Sequence, residues 1–305
     1  MWLLTRGQTP GPAGFPTVRA DRHDEAGFRA ALEAAAPEVV CDFIAFEPAD
    51  LEPVFASLRG RLRQYVFVSS ATVYRKPPPA LPITEDTPLG NPFWDYAQKK
   101  EACEAWLRER MASDDFPVTI VRPSHTYSRR WIPNPVSSAG YAIARRMEQG
   151  LPVFVPDNGE NPWTLTHADD FAVGFCGLVG NEAALGQAVH ITSDEVLTWN
   201  QIYAEIAVAA GVDDPPVLKI PTDFICQIAP EMTGPLKGDK AQPAIFDNSR
   251  IRRLVPEFVC RKPFREGVRE SVRWLRAHPE WQPNPKVDDV CDRVCRTWLA
   301  QQAGA

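Results

Sequence analysis

Long apolar runs are missing from this sequence: no stretch reaches the ~18 residues that a helix needs to cross a bilayer. An excess of basic residues is missing too, because 33 lysines and arginines face 39 aspartates and glutamates, which gives a net charge of −6. This balance argues against nucleic acid as the main partner, since phosphate binding needs a basic face. The seven cysteines are odd in number and scattered, which predicts a reduced, cytoplasmic protein without a disulfide framework.

The first 126 residues show an alternation of short apolar, β-rich segments with helical patterns. Such an alternation predicts an α/β fold, in which helices cover a parallel sheet. The predicted strands are 2–5, 16–20, 39–46, 65–68 and 118–122, and the predicted helices are 24–36, 50–58 and 96–111. Asp50 is expected to be the N-cap of the second helix.

Residues 127–305 are predicted to form mainly a smaller substrate-binding lobe, in which helical patterns dominate. The predicted helices are 138–149, 169–179, 199–210 and 264–276. Thr198 and Gln201 have the spacing of a capping box at the start of the third of these helices. Later segments, around Phe171 or at 188–192, are expected to return to the sheet of residues 1–126.

One constellation of residues points to proton transfer. Ser69 and Ser70 directly follow the predicted strand 65–68, and Tyr96 and Lys100 share one face at the start of a predicted helix. A lysine ammonium beside a phenol favours the phenolate, so the pKa of Tyr96 is expected to fall. A tyrosine of that kind can exchange a proton with a carbonyl or carbinol oxygen that a nearby serine also contacts. The hydride would come from a nicotinamide.

With these segments in place, the sequence resembles the extended short-chain dehydrogenases/reductases of the NAD-dependent epimerase/dehydratase type. The resemblance implies a Rossmann-like doubly wound parallel sheet. It is carried by segments along most of the chain: 39–46, 65–74, 96–100, 121–127, 163–171 (WTLTHADDF) and 190–200 (HITSDEVLTWN).

The resemblance also implies roles for individual residues. Ser70 would orient the substrate oxygen, Tyr96 would be the acid/base, and Lys100 would lower the pKa of Tyr96 and bind the nicotinamide ribose. Pro123 and Ser124 would line the nicotinamide. The other implied cofactor contacts are Phe43, Ile44 and Ala45, which would lie along the cofactor, and Ser69. A homodimer formed through the helices 50–58 and 96–111 is expected from the same resemblance.

The choice between NAD and NADP depends on the end of the predicted strand 2–5, where Arg6 stands. An acidic residue at that point binds the ribose hydroxyls of NAD, whereas an arginine accommodates the 2′-phosphate of NADP. The sequence therefore favours NADP, although a surface arginine is the competing interpretation. Asp21, after the next strand, is a candidate contact for the adenine amine.

The sequence departs from the family in two ways. Dehydratases of the family carry Asp-Glu where this chain has Ala71 and Thr72, so an epimerase or ketoreductase is favoured over a 4,6-dehydratase. The opening strand, helix and glycine-rich turn of the family are not found, and the segment from Gly7 to Phe15 is predicted to be a loop. Either the natural protein begins upstream of Met1, which we favour, or the segment has been lost and the cofactor abandoned.

Substrate contacts are predicted by position alone, beside the tyrosine and after the strand 118–122. The candidates are Phe93, Trp94, His125, Tyr127, Arg130 and Trp131, which would suit a nucleotide diphosphate or a polyol. His167, Asp169 and Asp170 are interpreted as a helix start, so no metal is expected. The expected function is an NAD(P)-dependent epimerase or ketoreductase on a sugar, sugar nucleotide or polyol. The alternative is a cofactor-free lyase or cyclase, or a binding protein, on the same scaffold.

Overall fold

The computed structural model describes residues 1–8, 11, 13–137, 140–282 and 284–304. The chain divides into two compact units that interleave along the sequence. Unit 1 consists of Met1–Ser69, Lys99–Arg122 and Leu178–Val189, and unit 2 consists of Ser70–Gln98, Pro123–Gly177 and His190–Ala305. The domain boundary at residue 126 stays a prediction; the chain passes from unit 1 to unit 2 nearby, after Arg122.

Short strands alternate with helices through much of the described chain. The strands are β1 (Leu3–Thr5), β2 (Thr17–Arg19), β3 (Val39–Asp42), β4 (Gln64–Val68), β5 (Val118–Pro123), β6 (His125–Tyr127), β7 (Val153–Pro156), β8 (Pro162–Trp163), β9 (Leu165–His167), β10 (Ala188–Ile191), β11 (Leu197–Thr198) and β12 (Val217–Ile220). The helices are α1 (Glu25–Ala35), α2 (Pro48–Leu58), α3 (Asp95–Asp114), α4 (Ala142–Glu148), α5 (Ala168–Leu178), α6 (Trp199–Ala210), α7 (Thr222–Ile228), α8 (Thr233–Pro235), α9 (Ser249–Leu254), α10 (Phe264–Ala277) and α11 (Pro285–Ala303).

Unit 1 confirms the predicted α/β class with parallel strands. Strands β10, β5, β4 and β3 form one sheet in that order, and the pairs β3–β4 and β4–β5 are parallel. Strand β1 pairs in parallel with β2 in a separate two-stranded sheet, within the part of the chain that is described. Of the predicted loop 7–15, residues 9, 10 and 12 lie outside the described residues.

Two predicted boundaries in unit 1 were wrong for local reasons. Strand β3 ends at Asp42 rather than at residue 46, because the Asp42 carboxylate accepts hydrogen bonds from the backbone N–H groups of Ile44 and Ala45, both at 3.0 Å, and so forms a turn. Helix α2 has Glu47 as its N-cap instead of Asp50. Asp50 is the third helical residue, where its carboxylate accepts from the Glu47 N–H at 3.1 Å.

Unit 2 contains three further strand pairs: β6–β9 and β7–β12 are parallel, and β8–β11 is antiparallel. Its core includes Trp163 stacked on Trp199, with ring centroids 5.5 Å apart. The capping box that starts α6 is confirmed, since the side chains of Thr198 and Gln201 each accept from the other's backbone N–H. Of the predicted helix 138–149, residues 138 and 139 lie outside the described residues and α4 begins at Ala142.

Neither a membrane-spanning helix nor a metal-binding cluster occurs among the described residues. No helix there is long and apolar enough to cross a membrane. No group of histidine, cysteine and acidic side chains in the described ranges could hold a metal ion. His167 accepts a hydrogen bond from the Asp169 N–H at 3.1 Å, as a residue at a helix start does.

A buried ion pair fixes α3 against the sheet of unit 1. Arg122, at the end of β5, donates two hydrogen bonds to Glu104 of α3, at 2.9 and 2.6 Å. The Ser69 hydroxyl, which follows β4, donates to the same carboxylate at 2.7 Å. Both charged side chains are at most 1% exposed, so each ion depends on the other for its solvation.

Removing one partner of this pair should destabilise the fold. Replacing Arg122 by methionine leaves the Glu104 carboxylate buried without its cation, so we expect a loss of about 3–5 kcal/mol of unfolding free energy. Urea denaturation measures it. Arg108→Met is the matched control, because Arg108 lies 3.8 Å from the same carboxylate but is half exposed, and it should cost less than about 1 kcal/mol. Equal losses of unfolding free energy in the two variants would contradict the conclusion that the buried Arg122–Glu104 pair stabilises the fold.

Candidate active site

A cavity of about 380 Å³ in unit 2 brings together most of the predicted catalytic and substrate-side residues. It is lined by Ser70, Ala71, Thr72, Lys76, Trp94, Tyr96, Pro123, Ser124, His125, Thr126, Trp131, Asp239, Lys240, Ala244 and Phe246. Ser70, Tyr96, Pro123 and Ser124 were predicted from widely separated segments. In the structure all four residues line this one cavity. They lie at the carboxyl ends of β4 and β5 and at the start of α3.

The Ser70 hydroxyl is oriented by a local turn. Residues 71–73 form a short 3-10 turn that Ser70 caps. Its Oγ accepts from the Thr72 N–H at 3.2 Å and from the Thr72 hydroxyl at 2.9 Å. The hydroxyl of Ser70 also hydrogen-bonds with the phenol of Tyr96, which lowers the pKa of Tyr96. Ser70 and Tyr96 therefore line the cavity together, and the serine favours the phenolate form of the tyrosine.

The expectation that the pKa of Tyr96 falls was wrong for this structure. Burial raises the pKa of Tyr96 above its ordinary value of 10.0, the hydrogen bond from Ser70 opposes that rise, and the charge of Asp239 adds to it. Burial has the largest effect on the pKa of Tyr96, because it disfavours the charged phenolate. Tyr96 is consequently a neutral phenol near pH 7, in the state of a proton donor.

Lys100 follows Tyr96 by four residues in α3, and its ammonium is bound within unit 1. Lys100 Nζ donates to the carbonyl oxygens of Ala45 at 2.7 Å and of Val68 at 2.8 Å. It also lies 4.6 Å from the ring centre of Phe46. Burial lowers the pKa of Lys100 to about 8, with nearby acidic groups opposing the fall. These contacts define the position of the ammonium within unit 1.

A second cavity, of about 860 Å³, opens in unit 1 beyond the ends of β1, β2 and β3. The predicted cofactor residues Arg6, Asp21 and Ile44 line it. Arg22 lines it as well; it pairs with Asp42 at 2.6 Å, while its buried Nε and Nη1 atoms have no hydrogen-bond partner among the described residues. Orphaned guanidinium donors of this kind suit phosphate oxygens. The cavity thus fits the phosphate-bearing adenosine half of a dinucleotide.

The other predicted cofactor residues differ in exposure and in whether their polar groups already have partners. Phe43 is exposed, and Ala45 is fully buried with its carbonyl committed to Lys100. The Ser69 hydroxyl donates its hydrogen bond to the Glu104 carboxylate. The backbone cradle that a glycine-rich turn would supply is not among the described segments that line this cavity.

Three predicted substrate contacts are not brought to the cavity of unit 2. Tyr127 is buried in the core, with its ring 5.4 Å from that of Phe264. Arg130 is exposed and lies over the ring of Trp281 at 4.6 Å. Phe93 is exposed beside Trp94, which does line the cavity and lies 5.0 Å from the Tyr96 ring.

The neutral state of His125 is set by its surroundings. Its Nδ1 accepts a hydrogen bond from the Trp163 indole N–H at 3.1 Å. Burial lowers the pKa of His125 well below its ordinary value, and the positive charge of Lys240 lowers it further. His125 is therefore a neutral, oriented wall residue of the cavity.

Sequence reasoning missed the charged residues of the cavity: Lys76, Asp239 and Lys240. Lys76 lies in the proline-rich loop two residues after the resemblance segment 65–74, so its place near the site could have been suspected. Asp239 and Lys240 lie more than 140 residues after Tyr96, in a segment without any recognisable pattern.

Comparison with known proteins finds similar sequences and similar folds. The model of the NAD dependent epimerase/dehydratase family matches residues 52–191. The 2'-dehydrokanamycin reductase of Streptomyces kanamyceticus is 27% identical over 277 residues, which are 90% of this chain and 76% of that protein. A chloroplast stem-loop binding protein of 41 kDa from Arabidopsis thaliana is 28% identical over 71% of this chain, which spans only 58% of that protein.

Solved structures share the fold. A UDP-glucose 4-epimerase of Thermotoga maritima with UDP-glucose has a TM-score of 0.71 at 17% identity, with 90% of each chain covered. A UDP-glucose 4-epimerase of Thermus thermophilus in complex with NAD has a TM-score of 0.69 at 21% identity, with 91% of each chain covered. Over residues 52–191 the chain is thus similar to the enzymes of the NAD dependent epimerase/dehydratase family, and it shares the fold of the solved epimerases.

Proposed function

We propose that this chain is an NAD(P)-dependent epimerase or ketoreductase that acts on a sugar, sugar nucleotide or related polyol. The observation that carries the proposal is that Ser70 and Tyr96 line the same cavity, which is large enough for a small substrate. Ser124 and Pro123 line the same cavity, where they would flank the reacting carbon.

The proton chemistry follows from the state of Tyr96. A bound nicotinamide would supply hydride exchange with the substrate carbon. As a carbonyl is reduced, negative charge grows on its oxygen, and the neutral Tyr96 phenol transfers its proton to that oxygen. Ser70 stabilises the phenolate left behind through the hydrogen bond that already lowers the pKa of Tyr96. In the reverse direction the phenolate removes the proton of the carbinol.

Elimination chemistry is not part of the proposal. Ala71 and Thr72 stand where a dehydratase of this type would carry an acid and a base, and Ala71 offers no titratable group to the cavity. A reductase would release the oxidised cofactor, whereas an epimerase would return the hydride to the opposite face of the substrate.

The cavity of unit 1 supports the cofactor assignment. Arg6, Asp21 and Arg22 would hold the adenosine phosphate half, with Arg6 favouring NADP over NAD. Lys100 would hold the nicotinamide ribose. The homodimer through α2 and α3 and the cytoplasmic location stay predictions.

The similarity to a stem-loop binding protein supports the alternative of a binding protein on this scaffold. The net charge of −6 weighs against RNA as the ligand.

Replacing Tyr96 by phenylalanine should remove the proton donor and leave the fold intact. We expect kcat to fall by about 10²- to 10⁴-fold on the sugar or polyol that the wild-type chain turns over with NADPH. The control is Tyr203→Phe, which removes a buried hydroxyl that has no partner among the described residues and lies outside the cavity. A Tyr96→Phe protein with undiminished kcat would refute the assigned role.

The ionisation of Tyr96 can be measured without any substrate. Because burial raises its pKa, the tyrosinate absorbance that distinguishes the wild-type chain from Tyr96→Phe should appear only above pH 10.0. A difference spectrum that develops near neutral pH would show instead that the phenolate is favoured.

Arg6 should set the preference between the two dinucleotides. In Arg6→Ala, we expect the Kd for NADPH to rise about tenfold and the Kd for NADH to stay nearly constant, since only NADPH carries the 2′-phosphate. Fluorescence titration measures both. Arg29→Ala on the exposed face of α1 is the matched control. Equal effects of Arg6→Ala on the two affinities would argue against a 2′-phosphate contact.

A further inference from the structure

Lys76 is a buried cation on the wall of the catalytic cavity. The residue is only 4% exposed, yet it lines the same cavity as Tyr96 and Ser70. Among the described residues, its ammonium has neither a hydrogen bond nor an ion pair within 4.0 Å. Lys76 Nζ is not among the fully enclosed polar atoms that lack a partner, so the ammonium opens to the cavity, where a ligand can supply an acceptor for its N–H groups.

The loop that carries Lys76 is held firmly. Arg75 donates its backbone N–H to the Pro88 carbonyl at 2.8 Å, and Tyr74 bridges to Leu89 on the opposite segment. Tyr74 itself is fully buried, with its hydroxyl 3.1 Å from Nδ1 of His190. The lysine therefore projects from an anchored segment, which fixes where its side chain begins.

The acid whose charge acts on Lys76 is already paired with another lysine. Asp239 accepts a hydrogen bond from the Lys240 ammonium at 3.3 Å, and Lys240 Nζ also lies 5.4 Å from the centre of the Trp94 ring. The charge of Asp239 does act on Lys76, where it partly offsets the lowering of the pKa by burial. With His125 neutral, the two lysines and one aspartate leave the cavity wall with a net charge of +1.

We propose that Lys76, assisted by Lys240, binds an oxyanion group of the substrate, a carboxylate or a phosphate. Building on the proposed function, this inference narrows the substrate class to acidic sugars or sugar phosphates. Lys76 supplies up to three N–H donors to the substrate oxygens, and Asp239 remains paired with Lys240. A substrate amine in the same place would face two ammonium groups.

The experiment is a set of calorimetric titrations of the full chain with four related probes: glucose, glucosamine, glucuronate and glucose 6-phosphate. The expected order is tighter binding of one or both acidic probes than of glucose, by about tenfold or more, with glucosamine weakest. Comparison of glucuronate with glucose 6-phosphate tells a carboxylate from a phosphate. Equal affinities for all four, or tightest binding of glucosamine, would overturn the proposal with no variant needed.

Variants then assign the effect to Lys76. Lys76→Met should reduce binding of the preferred acidic probe to the level of glucose, whereas Lys286→Met, an exposed lysine of α11, should bind like the wild type. Lys240→Met provides a second test if Lys76→Met does not fold, and it should weaken the acidic probe without affecting glucose. An undiminished preference for the acidic probe in either cavity variant contradicts the proposal.

These titrations measure binding and do not need hydride transfer. Tyr96→Phe should keep the preference for the acidic probe, because the oxyanion contact does not involve the phenol. A chain that prefers acidic probes but never transfers a hydride supports the oxyanion site and refutes only the proposed redox function.

Discussion

Helix α3 carries two buried charges, and the rest of unit 1 is arranged so that both are solvated. The Glu104 carboxylate is satisfied by Arg122 and Ser69 at the ends of β5 and β4, and the Lys100 ammonium is satisfied by the carbonyls of Ala45 and Val68. Because residues four apart share one helix face, these contacts also fix the rotation of α3.

Burial, more than pairwise charge, sets the protonation states of the catalytic cavity. It raises the pKa of Tyr96 and lowers the pKa values of Lys76 and His125, since a cavity wall disfavours the charged form of each group. Tyr96 and His125 are therefore neutral near pH 7. A neutral phenol is suited to give a proton to a developing oxyanion, and the hydrogen bond from Ser70 stabilises the phenolate that results.

The α/β class, the places of β4 and β5 and the cluster of Ser70, Tyr96 and Ser124 could be predicted, because apolar strands and helix spacing are local signals. The end of β3 at Asp42 could not be predicted, because the hydrogen bonds of the Asp42 side chain form the turn that ends the strand. The partners of Lys100 and the place of Tyr127 in the core depend on tertiary packing that no local pattern encodes. Asp239 and Lys240 reach the cavity from a segment without a motif, so only the folded chain reveals them.

The central claim is that this chain binds a nicotinamide dinucleotide for proton-coupled hydride transfer at Tyr96. Calorimetric titration of the 305-residue chain with NADPH and NADH tests it most directly. The account predicts saturable binding of one dinucleotide per chain, weakened when Arg22, with its orphaned donors in the cavity of unit 1, is replaced by methionine. Absence of binding for both dinucleotides would contradict the redox function and favour a cofactor-free role for Tyr96.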